Sequence, residues 1–128
     1  MSLSVTVDVA RGLIVTCASG VLTFEDVLSA RAQAQAHPNF DASYNDLFDL
    51  REVTEIRLTG AEMARIAATS VLSRGVSRAF VVTTQVQYGM ARMFSGLAEP
   101  HDQNVFVFRD LAVAEAWLSA RKRPSTET

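Results

Sequence analysis

The sequence predicts an α/β domain with a mostly parallel, five-stranded sheet, an antiparallel N-terminal hairpin and four helices. Three observations carry this prediction. An alternating apolar stretch near the start is followed, after a glycine turn, by a second apolar run, the pattern of a hairpin. Strand-period and helix-period stretches then alternate in the order β-β-α-β-α-β-α-β-α, which builds parallel strands joined by right-handed crossovers. The chain of 128 residues is long enough for one hydrophobic core and short for two. The domain is placed over 1–120, with a polar tail over 121–128.

Val5, Val7 and Val9 alternate with Thr6 and Asp8, so one face of the first strand is apolar. Ala10-Arg11-Gly12 makes the turn, its glycine free to take positive φ. A second strand follows over 13–18, and Gly20 is read as breaking it. Thr23 caps a helix over 24–36, with Glu25 and Asp26 facing the positive end of its dipole, and His37-Pro38 ends it because the residue before proline avoids helical angles. A third strand is placed at 44–50 and a polar connector at 51–58. Thr59-Gly60-Ala61-Glu62 has capping-box spacing. Met63, Ile66, Ala67, Ser70 and Val71 then mark the inner face of the second helix.

Arg74-Gly75 stops that helix, and the nearly continuous apolar run over 79–84 reads as a central strand covered on both faces. The third helix is expected over 86–98. At 100° per residue Met90, Ala91, Met93, Phe94, Leu97 and Ala98 form its apolar set, leaving Tyr88, Arg92, Ser95 and Glu99 on the opposite side. After a Pro100-His101-Asp102 loop, the fifth strand is placed at 105–108. Asp110 caps a last helix with Leu111, Ala114, Trp117 and Leu118 inward.

Charge and cysteine usage narrow the function. Lys and Arg number 12 against 14 Asp and Glu, a formal net charge of −2, whereas a phosphate-binding surface shows as a basic excess; no nucleic-acid partner is expected. Cys17 is the only cysteine, so no intrachain disulfide forms, which suits a reducing compartment. Its apolar neighbourhood, Leu13-Ile14-Val15-Thr16-Cys17, reads as that of a buried structural thiol. The first residues carry no basic, apolar leader pattern, and no apolar run is long enough to span a membrane, so the expected location is the cytoplasm.

Chemistry-bearing residues are scattered. His37 and His101 lack metal-ligand spacing to a cysteine or to each other and read as solvated or capping groups. Asp46 and Asp49 have opposite parity on one strand, which is poor geometry for a carboxylate pair. Asp49 still lies at a strand's C-terminal end, the edge where open α/β sheets bind ligands. No phosphate loop, zinc motif or serine elbow is present, so neither a cofactor nor enzymatic activity is expected. Tyr88 and Arg92, one turn apart, form either a simple exposed i, i+4 contact or the anchor of an interaction surface. Met63, Met90, Met93 and Phe94 either pack the core or line an adaptable apolar pocket.

Three stretches together resemble a known family: Leu47-Phe48-Asp49-Leu50-Arg51, Tyr88-Gly89-Met90-Ala91-Arg92-Met93-Phe94, and Val107-Phe108-Arg109-Asp110 leading to Ala116-Trp117-Leu118. In this order and spacing they are similar to the bacterial SpoIIAA-like family, which is related to STAS domains and to the SEC14 lipid-carrier theme. The resemblance runs from Val5 to Leu118 and implies a SpoIIAA-like sheet. It also implies an interaction or ligand surface drawn from Tyr88, Arg92, Met93, Asp49 and Arg51. Sporulation-type STAS regulators carry Asp-Ser-Ser-Gly at a helix start, with the second serine phosphorylated. The corresponding stretch here is Arg57-Leu58-Thr59-Gly60. Only the hydroxyl–glycine pair matches, and Arg57 replaces the acid, so the resemblance makes Thr59 a weak phosphoacceptor and the capping box explains it better. The expected function is a non-enzymatic regulatory or protein-interaction module, with a homodimer or another protein as partner. The alternative is a carrier or sensor of a small apolar, lipid-like molecule between sheet and helices.

Overall fold

The computed structural model describes residues 2–101 and 104–122. Asp102 in the expected loop and most of the expected tail lie outside them. The elements are β1 (Ser2–Asp8), β2 (Leu13–Thr23), α1 (Phe24–Ala36), β3 (Asn45–Arg57), α2 (Gly60–Ala68), β4 (Ser77–Val81), α3 (Gln85–Ala98), a 3-10 turn (Glu99–His101), β5 (Asn104–Phe108) and α4 (Leu111–Ala120). The sheet order is β1-β2-β3-β4-β5; β1 runs antiparallel to β2 and every other pair is parallel.

Sequential strand order has a geometric consequence. When each crossover is right-handed and each moves the chain one strand in the same direction, all the crossover helices fall on one face. The core obeys this. Val27 of α1, Met63, Ile66 and Ala67 of α2, and Ala91, Phe94 and Ala98 of α3 pack together with Phe48, Leu50, Phe80 and Val82. α4 follows the last strand, is free of that constraint, and covers the second face, placing Ala114 and Leu118 on Leu13, Leu47, Ala79 and Val81.

Short polar motifs set the element ends. Capping boxes close on Thr23 with Asp26, Thr59 with Glu62 and Thr84 with Gln87, and Asp110 accepts from the Val113 N–H at 3.1 Å. Gly12 takes φ 59° in the β1–β2 turn, a region open to glycine at no steric cost.

The structure corrects several sequence expectations. β2 does not stop at Ala18 and residues 51–57 are strand rather than connector: the parallel β2–β3 pair continues to Thr23 and Arg57. It does so through register shifts at Cys17/Ser19 and Gly20/Val21, with Gly20 at φ 76°. Gly20 therefore bends the strand without ending it. Past the bulges Val53 and Ile56 still turn toward the core, while Glu52, Glu55 and Arg57 face solvent. α2 ends at Ala68, so Ser70 and Val71 belong to the following loop. Arg121 and Lys122, assigned to the tail, pack back on the domain: the Arg121 guanidinium lies 4.7 Å from the Trp117 ring centre and Lys122 Nζ donates to the Ala10 carbonyl at 2.7 Å.

Candidate functional site

Two concavities distinguish themselves. The first lies inside the three-helix face, lined by Phe48, Met63, Ile66, Met90, Phe94 and the Arg78 stem among others, with a volume of about 60 Å3. That accommodates a few waters and is far below the several hundred Å3 of a small-molecule site. Met63, Met90 and Phe94 meet here as expected. Met93 does not: it is 49 % exposed on the outer side of α3.

Beside this cavity sits a charge cluster that the sequence did not reveal. Arg78 and Asp46, 8 % and 6 % exposed, pair across β3 and β4 with Nε to Oδ2 at 3.1 Å. The Arg78 guanidinium lies over the Phe80 and Phe94 rings at 5.8 and 5.5 Å. Arg31 of α1 donates to the Ile66 and Thr69 carbonyls at the end of α2, a favourable place for a cation. Burial, with Arg78 nearby, pushes Arg31 down to about 10. Burial pushes the Asp46 carboxyl up, opposed by Arg78 and Arg31.

The second concavity is an open groove of about 500 Å3 between α3 and the outer edge of β5. α3 contributes Tyr88, Arg92 and Ser95 and its C-cap Glu99 completes the polar stripe read from helical spacing, while β5 contributes residues 104–107. Arg92 Nη1 donates to Tyr88 Oη at 3.0 Å. Arg109, which the sequence did not single out, lies 4.4 Å from the centre of the Tyr88 ring and donates to Gln85 Oε1 at 3.0 Å. The half-buried tyrosine thus has two guanidinium groups near its ring, those of Arg109 and, at 5.8 Å, Arg92. Glu99 lies at the far end of the stripe, and among the described residues neither it nor Arg92 has an ion-pair partner.

β5 is the last strand in the sheet. The Asn104 N–H donates to the Val76 carbonyl and the Val82 N–H to the Phe108 carbonyl, so the even-numbered residues of β5 face β4. By the alternation of a strand, Val105 and Val107 turn their N–H and C=O outward into the groove. Ser95 Oγ donates to the Val105 carbonyl at 2.9 Å, fixing the middle of α3 beside the middle of β5.

The other sequence candidates lie elsewhere. Arg51 binds Asp49 with its backbone N–H, Nε and Nη2 at 3.0, 3.0 and 2.9 Å, and neither residue lines the groove. Burial pulls the Asp49 carboxyl up, but the Arg51 hydrogen bonds prevail and hold it below its ordinary range. Asp46 and Asp49 do point to opposite faces. Thr59 Oγ1 accepts from the Glu62 N–H at 3.0 Å and Glu62 Oε1 accepts from the Thr59 N–H at 2.9 Å, so both halves of the capping box are formed. His37 caps α1, its N–H bound to the Ala34 carbonyl. No cluster of three metal-ligating side chains exists among the described residues. Cys17 is exposed, not buried: α4 packs on β3, β4 and β5 and leaves bare the part of that face where β2 meets β1.

No family model matches the chain, and no curated protein does. Among solved structures it is similar to an uncharacterised protein of the DUF3478 family from Shewanella loihica PV-4, described as having a SpoIIAA-like fold. That likeness has a TM-score of 0.61 over 91 % of this chain and 92 % of the other, at 16 % identity. The fold is SpoIIAA-like. In the SpoIIAA-like frame of this chain, the groove lies where the outermost strand and the last crossover helix diverge. Among the described residues no helix is long and apolar enough to cross a membrane.

Proposed function

We propose that this chain is a non-enzymatic docking module that binds a protein partner in the groove between α3 and β5. One observation carries the reading: the open groove joins an unpaired strand edge to Tyr88, Arg92 and Glu99, whereas the apolar interior offers about 60 Å3. Tyrosine and arginine are the residue types that anchor interfaces, and an edge strand supplies backbone hydrogen bonds to an incoming chain. A carrier of a lipid-like molecule needs an enclosed apolar space several times larger.

Native mass spectrometry of the chain purified from its own host tests this. The expected result is a protein complex that the double change Tyr88→Ala with Arg92→Ala abolishes. A small apolar molecule riding on the monomer, or a bare monomer, overturns the docking reading.

A further inference from the structure

We infer that the occupant of the groove is a second copy of this chain, joined by antiparallel pairing of β5 with β5 about a two-fold axis at Phe106. This deepens the docking reading above and rests on it.

The two free edges of the sheet differ in chemistry. β1 presents exposed Ser4 and Thr6. β5 is Asn104-Val105-Phe106-Val107-Phe108, with no charge and no proline within it, and Phe106 is 51 % exposed. Proteins protect bare edges with lysine, proline or bulges, and an unprotected apolar edge is built for strand addition.

The register follows from which groups point outward. Val105 and Val107 direct their backbone polar groups into the groove. In an antiparallel pair centred on Phe106, Val105 of one copy lies opposite Val107 of the other and exchanges both hydrogen bonds with it. The Val105 carbonyl, already bound by Ser95, has a second lone pair. Phe106 then falls at the close, non-hydrogen-bonded position opposite itself, where an aromatic pair is favourable.

The charges of Arg92 on α3 and of Glu99 at its C-cap fit the same axis. Ser95 touches Val105, near the centre of the strand, and Arg92 and Glu99 lie on either side of Ser95 along the helix, each about 5 Å from the midpoint between them. A two-fold axis there runs the two α3 helices antiparallel on one face of a continuous sheet. It carries the Arg92 of each copy toward the Glu99 of the other, a self-complementary arrangement. Among the described residues neither side chain has an ion-pair partner.

The full-length chain in sedimentation equilibrium is expected to dimerise. Val107→Pro removes an outward N–H without touching the ladder to β4, and Phe106→Lys places like charges opposite each other; each weakens the dimer by about tenfold or more while the circular-dichroism spectrum stays unchanged. Arg92→Glu alone and Glu99→Arg alone weaken it, and the two together restore it. Where Val107→Pro fails to fold, Phe106→Cys in a Cys17→Ser background decides: mild oxidation links two copies through Cys at 106, whereas Ser4→Cys on the other edge does not link them. A chain that stays monomeric at several hundred micromolar overturns the inference, as does a dimer indifferent to Val107→Pro and Phe106→Lys, or cross-linking through β1. A groove-dependent complex with a different protein overturns it too, yet leaves the docking reading standing; only a complex indifferent to Tyr88 and Arg92, or none, removes both.

Discussion

Arg78 and Arg92 both lie against aromatic rings, yet one is enclosed beneath three helices and the other stands in water at the sheet edge. Arg78 is held by Asp46 and by two phenylalanine faces, in a place where an unpaired charge is very costly. Among the described residues Arg92 is held by Tyr88 of its own helix alone. The same side chain therefore serves the fold in one place and remains available in the other. What separates them is the set of groups around each.

Removing a partner tests the buried member most severely. Asp46→Ala removes the carboxylate beside the buried Arg78 and is expected to cost about 3–5 kcal/mol in urea unfolding, while Asp46→Leu with Arg78→Met comes close to neutral. A small loss from Asp46→Ala alone would place Arg78 in the same class as Arg92. Thr59→Ala comes next: loss of the cap lowers stability by about 1 kcal/mol, and Thr59→Ser by much less. A phosphate found on Thr59 by phosphopeptide mapping would give that cap a second role. Arg92→Ala breaks one exposed i, i+4 contact and shifts thermal stability by a few tenths of a kcal/mol at most, leaving its effect to appear in association.

The Asp49–Arg51 pair on β3 sharpens the contrast through pH. Asp49 is pulled up by burial and held down more strongly by Arg51. A carboxyl lowered in the native state contributes stability above the ordinary carboxylate range and loses it as pH falls through the lowered value. Asp49→Asn should therefore flatten part of the acid limb of a stability–pH curve and leave neutral behaviour unchanged.

Local chemistry made most elements readable. Thr23, Thr59 and Asp110 announced three helix starts, and period alone put Tyr88, Arg92, Ser95 and Glu99 on one stripe. What stayed hidden depends on neighbours distant in sequence. Residues 51–57 look like a polar loop because their strand pairs only with β2, through two bulges, and buries only Val53 and Ile56 on its core side. Arg78 reads as the polar flank of an apolar run, and only the juxtaposition of β3 and β4 shows that Asp46 waits beside it. The groove needed the strand order. Nothing within 104–108 states that β5 is outermost, so the stripe on α3 was legible while the edge and Arg109 beside it were not.

The placement of α4 bears on how the molecule is made. Synthesis runs from the N-terminus, and the β2–α1–β3–α2–β4–α3–β5 portion can close its three-helix face as soon as β5 emerges. Leu13, Leu47, Ala79 and Val81 have no cover until α4 has also left the ribosome. For that interval one side of a nearly finished sheet is oily and bare, the condition in which nascent chains aggregate or engage chaperones. A stalled or truncated product ending before Leu111 therefore carries the whole first core and a sticky reverse side, so the ten residues of α4 decide whether this domain meets quality control as a closed fold or as an open one.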